Sequence, residues 1–205
     1  PNWPKIKGLE SFAGPTYHTG LWPHEKIDFT GLRVGIIGTG SSAIQTIPVI
    51  VEETEHLYVF QRTPNYSVPA HNGPLDPEHV KSVKANYAEV RARAKTRFPG
   101  IDAEYHLRSA LDDSPEERPA IYERGWEQGG LTFNWIYNDL LKNKEANETA
   151  AVFVRDKIRG IVDDPAVADL LCPTNIIGGK RLCVDTGYFE VYNRDDVTLV
   201  DVRSE

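Results

Sequence analysis

Apolar residues are laid out along this chain in different textures, and each texture predicts a different element. Leu32-Arg33-Val34-Gly35-Ile36-Ile37 is a short apolar run with β-branched residues, as expected of a strand buried on both faces of a parallel sheet. A glycine-rich turn, Gly38-Thr39-Gly40-Ser41-Ser42-Ala43, follows at once, and Ser42 to Glu52 continues as a helix. Leu57-Tyr58-Val59-Phe60-Gln61-Arg62 reads as a second strand. Together they form a βαβ unit of roughly 30 residues, the setting in which a glycine pattern becomes a dinucleotide site.

From Asp76 to about Leu171 the texture turns helical. Three helix starts carry a capping residue followed by proline at the first helical position: Asp76-Pro77, Ser114-Pro115 and Asp164-Pro165. Ser114 with Glu117 also makes a capping box. Trp126, Phe133, Trp135, Ile136, Leu140 and Leu141 gather apolar mass in the middle helices, which reads as core at helical spacing. A loop follows from Cys172 to Arg181, and Val197-Thr198-Leu199-Val200-Asp201-Val202 is a further strand, expected to rejoin the first sheet. The pattern predicts an α/β fold: a Rossmann-like parallel-sheet dinucleotide-binding domain with an α-helical insertion. Its expected parts are a Pro- and Gly-rich linker over 1–31, the nucleotide domain over 32–75 and 173–205, and the insertion over 76–172.

Composition narrows the function. With 205 residues, 40% hydrophobic and 26% charged, the chain has the make-up of a soluble globular protein. A net charge of −7 with no basic stretch to offset it argues against a nucleic-acid partner. No apolar run approaches the ~18 residues of a membrane helix, and the opening Pro1-Asn2-Trp3-Pro4-Lys5 shows no signal-peptide pattern. The absence of methionine suggests an internal piece of a longer protein. Cys172 and Cys183, both placed in the loop after the helices, suit neither a metal site nor a close redox pair, and read as reduced thiols of a cytoplasmic protein. His24, His56, His71, His79 and His106 show no metal-ligand spacing, so no metal is expected. Asn65-Tyr66-Ser67 and Asn147-Glu148-Thr149 match the glycosylation sequon and read as chance matches.

The candidate chemistry centres on the turn. Gly38 permits a tight exit from the strand, Gly40 lets the backbone approach a pyrophosphate, and Ala43 is small enough for helix to pack on strand. The helix N-terminus offers free N–H groups and partial positive charge to phosphates, with the hydroxyls of Thr39, Ser41 and Ser42 beside them. Ile44 and Gln45 complete the candidate nucleotide-binding first turn. An NAD site would place an acidic residue at the end of the second strand, whereas this chain has Gln61-Arg62-Thr63. A guanidinium binds a 2′-phosphate in forked geometry, so Arg62 and Thr63 favour NADP.

Upstream of the turn, Phe12-Ala13-Gly14-Pro15-Thr16-Tyr17-His18-Thr19-Gly20-Leu21-Trp22-Pro23 supplies the pattern Phe-x-Gly-x-x-x-His-x-x-x-Trp-Pro. Followed by Gly-x-Gly-x-x-Ala, it resembles the fingerprint of the Baeyer–Villiger monooxygenases, with Phe12, Gly14, His18 and Trp22 as its fixed residues. The resemblance, which runs from Phe12 to Arg203, implies a flavoenzyme that uses FAD, NADPH and O2 to convert a ketone to an ester or lactone through a C4a-peroxyflavin. FAD would be held mainly by parts of the protein outside this chain, its FAD-binding portion being a further partner. Gly178-Gly179-Lys180-Arg181 and the following Asp185-Thr186-Gly187-Tyr188-Phe189-Glu190 resemble the family's segment after its helical domain. The resemblance implies that Lys180 reaches the 2′-phosphate and that Arg181 is the active-site arginine facing the flavin. His18 is read either as a linker residue coupling domain movement to cofactor position or as a structural hydrogen-bonding residue. A flavin-containing N- or S-oxygenating monooxygenase stays open as an alternative, disfavoured by Trp22-Pro23 and Lys180-Arg181. A pyridine-nucleotide disulfide reductase is disfavoured by its missing cysteine pair, and a non-enzymatic NADP-binding module stays open.

Overall fold

The computed structural model describes residues 2–97, 100–102 and 107–203. The first strand, β1 (Arg33–Ile37), leads through the glycine turn into helix α1 (Ser41–Ile50), and the chain returns as β2 (His56–Gln61). β1 and β2 pair in parallel, with Val34 opposite Leu57 and Ile36 opposite Val59. The last strand, β5 (Val197–Asp201), adds in parallel to the far side of β2, so the sheet order is β1-β2-β5. Parallel neighbours need a long crossover, and everything between Gln61 and Val197 provides it. Strand, helix, strand and crossover strand in this order make the fold α/β with a Rossmann-type parallel sheet.

The crossover begins with a three-residue strand, β3 (Ser67–Pro69), which pairs in parallel with β4 (Cys183–Asp185) to make a second small sheet. Between them run α2 (Pro77–Ala85), α3 (Tyr87–Thr96), α4 (Arg118–Gln128), α5 (Lys144–Ile161) and α6 (Pro165–Leu171). No strand occurs there among the described residues. Asp76 and Asp164 cap α2 and α6 as their sequence predicts, each side chain accepting a backbone N–H of the first turn. Ser114 and Glu117 do form a reciprocal box: the Ser114 N–H donates to Glu117 Oε2 (3.0 Å) and the Glu117 N–H to Ser114 Oγ (3.3 Å). That box closes a turn of its own, however, and α4 starts only at Arg118. Residues 98–99 and 103–106 of the expected helical stretch, His106 among them, lie outside the described residues.

The largest buried side chains include Tyr122, Phe133, Tyr137 and Leu140 of the helical region, Ile44 and Ile47 of α1, and Leu57 of β2. Of the predicted apolar group, Phe133, Ile136 and Leu140 are buried, whereas Leu141 is 46% exposed. α1 packs between the two sheets, touching both β1 and β4. The expectation that β1 is buried on both faces is not met. Val34 and Ile36 turn partly into the core, while Arg33, Gly35 and Ile37 are exposed. The reason is geometric: alternate residues of a strand face opposite sides, β1 is the sheet edge, and α1 covers one face. Cys183 lies in β4 rather than in a loop, and Cys172 caps the end of α6. Both are buried free thiols, and burial pushes the pKa of each upward.

No helix among the described residues is long and apolar enough to cross a membrane. The sequon residue Asn147 is 4% exposed and spends its amide on backbone partners, so no glycan can be attached in the folded state.

Candidate nucleotide-binding site

At the end of β1 the chain turns through Gly38 with φ +99°, a left-handed conformation that a side chain disfavours. The Gly38 N–H donates to Phe60 O (2.8 Å), locking the turn to β2. Gly40 precedes α1 in extended conformation, and no side chain caps the helix. This contrasts with α2, α5 and α6, whose first N–H groups are taken by Asp76, Asn143 and Asp164. Space is open where a Cβ on Gly40 would stand. An uncapped helix N-terminus with free approach at a glycine is what a phosphate anion requires, so the residues present fit a pyrophosphate.

Side chains divide around this turn. Ser42 and Gln45 are exposed, and Ala43 is buried where α1 packs. Ile44 is fully buried, and its N–H is bonded to Gly40 O (2.9 Å). Its side chain therefore packs in the core, because helical periodicity turns that position inward. Thr39 is 4% exposed, and its hydroxyl donates to Thr63 O (3.0 Å). Ser41 Oγ lies 3.2 Å from Cys183 Sγ. These two contacts tie the glycine turn to the two other candidate segments.

The first of those segments is Arg62-Thr63, exposed directly after β2. The second is Lys180-Arg181, exposed directly before β4. Arg93, Arg155, Arg159 and Arg194 are all engaged by carboxylates. Arg62, Lys180 and Arg181 form no ion pair or side-chain hydrogen bond among the described residues. In a chain of net charge −7, these uncommitted cations stand on the two segments that Thr39 and Ser41 tie to the open helix N-terminus, an arrangement that suits an anion.

Two further residues beside this turn, Cys183 and Asp185, were not among the candidate site residues. Cys183 supports Ser41 from below; burial raises its pKa, against the pull of the Ser41 contact. Nearby Asp185 is buried, and burial raises its carboxyl as well, opposed by the hydrogen bond it accepts from the Tyr188 N–H (3.2 Å). Their signal was faint, since a three-residue strand carries too little alternation to be seen.

The fingerprint residues make contacts among themselves and their neighbours. A Cβ on Gly14 would press into the Phe12 ring (3.1 Å to Cζ), which explains a glycine two positions after the phenylalanine. His18 Nδ1 accepts the Gly20 N–H (2.9 Å) and caps the 3-10 turn Thr19–Leu21. Its ring meets Trp3 edge-on at 5.6 Å. Trp22 leans on Tyr17 at 5.8 Å and on Phe29 at 6.3 Å. Here His18 has a structural hydrogen-bonding role.

Known proteins agree with this geometry. A Baeyer–Villiger monooxygenase of Pseudooceanicola batsensis is 41% identical over 207 residues, covering 100% of this chain and 37% of that protein. The chain belongs to the Baeyer–Villiger monooxygenase family. Among solved structures of the family's kind, an oxidised steroid monooxygenase bound to NADP superposes with a TM-score of 0.95 at 52% identity, covering 100% of this chain and 39% of that one. OTEMO in complex with FAD and NADP gives a TM-score of 0.95 at 40% identity, covering 100% and 40%. No family model matches the chain. The chain spans about 38% of the length of curated relatives that it matches.

Proposed function

We propose that this chain is the NADPH-binding and helical portion of an FAD- and NADPH-dependent Baeyer–Villiger monooxygenase. Residues 32–75 and 173–205 form its nucleotide domain, 76–172 a helical insertion, and 1–31 the linker to a FAD-binding portion. The whole enzyme inserts one oxygen atom of O2 next to a ketone carbonyl, giving an ester or lactone. A cytoplasmic setting agrees with the buried free thiols Cys172 and Cys183.

When bound, NADPH would supply the hydride and FAD the redox chemistry that activates O2. The α1 N-terminus, with Gly38, Thr39, Gly40, Ser41, Ser42 and Ala43, holds the pyrophosphate of NADPH, and exposed Gln45 borders it. Arg62 and Lys180 bind the 2′-phosphate, while Thr63 anchors the turn through its carbonyl. Arg181 follows Lys180 directly, and alternation along the chain would send its guanidinium to the opposite side. There it would face the flavin and stabilise negative charge developing on the ketone oxygen. Arginine suits that task because it stays protonated and offers forked donors. The observation that carries this reading is the uncapped α1 N-terminus, joined through Thr39 to the segment after Arg62 and through Ser41 to the strand after Lys180 and Arg181, three cations without an ion pair among the described residues.

The test is Arg181→Ala in the whole enzyme, with NADPH binding and ester formation measured separately. Ester formation should fall by ~10²–10³ or more, with NADPH affinity reduced far less. Ester formation at a near-native rate would remove Arg181 from the chemistry. A protein that consumes NADPH on amines or sulfides and on no ketone would favour the N- or S-oxygenating alternative.

A further inference from the structure

We propose that Asn147, buried in α5, is a positioning residue that aims the Lys180-Arg181 segment at the nucleotide. This rests on the reading of Lys180 as a 2′-phosphate ligand. Asn147 donates through Nδ2 to Leu140 O (2.7 Å) and to Ile177 O (2.8 Å), and its Oδ1 accepts the Ile177 N–H (3.1 Å). A side-chain amide that exchanges both a donor and an acceptor with one residue copies a backbone pairing. Ile177, itself buried, is thereby fixed to the first turns of α5.

The chain beyond Ile177 has little freedom. Gly178 takes φ +77°, and a Cβ there would collide with the Leu141 side chain. The Gly179 N–H closes a turn onto Ile176 O (3.1 Å). Lys180 and Arg181 emerge next, exposed. The same helix also holds the base of the loop. Arg155 Nη1 donates to Tyr66 Oη (3.0 Å), and Tyr66 Oη donates to Pro173 O (3.1 Å). Downstream, Cys183 rests on Ser41. The loop is thus held at its base, near its tip and at its exit. Among the described residues Lys180 and Arg181 have no side-chain hydrogen bond or ion pair to aim them, so backbone anchoring has to supply their direction. Asn147 is the anchor on their N-terminal side, holding Ile177 three residues before Lys180.

A purely structural Asn147 would affect stability alone, so the test reads preference for the 2′-phosphate. Calorimetric binding of NADP+ and of NAD+, which differ by that phosphate, is measured on the whole protein without turnover. Three variants are compared with wild type: Asn147→Ala, Ile158→Ala and Lys180→Ala. Ile158 is fully buried in α5, about 16 Å along the helix axis from Asn147, and reports plain destabilisation. Asn147→Ala should weaken NADP+ roughly tenfold and leave NAD+ nearly unchanged, the loss expected when one charge-assisted contact is misplaced. Ile158→Ala should lower the melting temperature and keep the preference. An unchanged preference in folded Asn147→Ala, or an equal loss in Ile158→Ala, overturns the proposal. If Lys180→Ala keeps the preference, the assignment of Lys180 fails and this proposal falls with it. If Lys180→Ala loses the preference while Asn147→Ala keeps it, the positioning role fails alone. Amide exchange in the wild-type protein needs no variant: Ile177 N–H should be protected well beyond an open loop. Exchange at the rate of an unstructured peptide would show that the clamp is absent in solution.

Discussion

The hydroxyl of Thr39 donates to the carbonyl of Thr63 across 3.0 Å, joining the pyrophosphate turn to the segment that carries Arg62. One bond thus couples the turn proposed to hold the pyrophosphate to the segment proposed to tell NADP from NAD. Thr39→Val keeps the branched shape and removes the donor. It should cost about 1 kcal/mol of stability, the ordinary net value of such a bond, and should narrow the preference for NADPH over NADH. Parallel Kd measurements check this; an unchanged preference would mean that the Arg62 segment holds itself in place.

Arg62 offers the most direct test of cofactor choice. Arg62→Ala should weaken NADPH by ~1.5–3 kcal/mol, roughly 10- to 150-fold, and leave NADH almost untouched. Equal losses for both cofactors in fluorescence titrations would remove Arg62 from the 2′-phosphate.

At position 181 the shape of the cation matters as well as its charge. Arg181→Lys should rescue ester formation poorly compared with wild type, because a compact ammonium cannot reproduce a forked pair of donors. Stopped-flow traces should separate flavin reduction from product formation. Full recovery by lysine would reduce the role of Arg181 to charge alone.

Tyr122 makes alkaline stability a readout of the helical region. It is buried beneath α5 with its Oη 2.6 Å from Thr149 Oγ1. Thr149 gives its own proton to Ala146 O (2.7 Å), so Tyr122 is the donor. Burial pushes its hydroxyl up to about 12 from 10.0. Folding therefore favours the neutral phenol: its contribution is complete below pH 10 and is lost as pH rises through about 12. Tyr122→Phe should lose about 1 kcal/mol near neutral pH, and this deficit should shrink between pH 10 and 12. Urea unfolding at a series of pH values measures it, and a constant deficit would contradict the shift.

Local physics made part of this protein legible in its sequence. Gly38 and Gly40 announce their turn because only backbone freedom and an open helix end are needed there. Asp76-Pro77 and Asp164-Pro165 announce helix starts because capping is settled within one turn. The apolar runs of β1, β2 and β5 identify strands, and their βαβ context gives the parallel sheet. Burial and convergence were decided by packing. Whether β1 is covered on one face or two depends on which helices reach it, and Ile44 is turned into the core by the docking of α1. The pairing of β3 with β4 joins segments too short to show a period. Contacts between Thr39 and Thr63, Ser41 and Cys183, and Asn147 and Ile177 join residues distant in the chain, and no pattern of neighbours encodes them. They exist because the helical crossover folds back on the sheet, bringing β4 and the Cys183 thiol to the start of α1, just past the turn that Gly38 had opened.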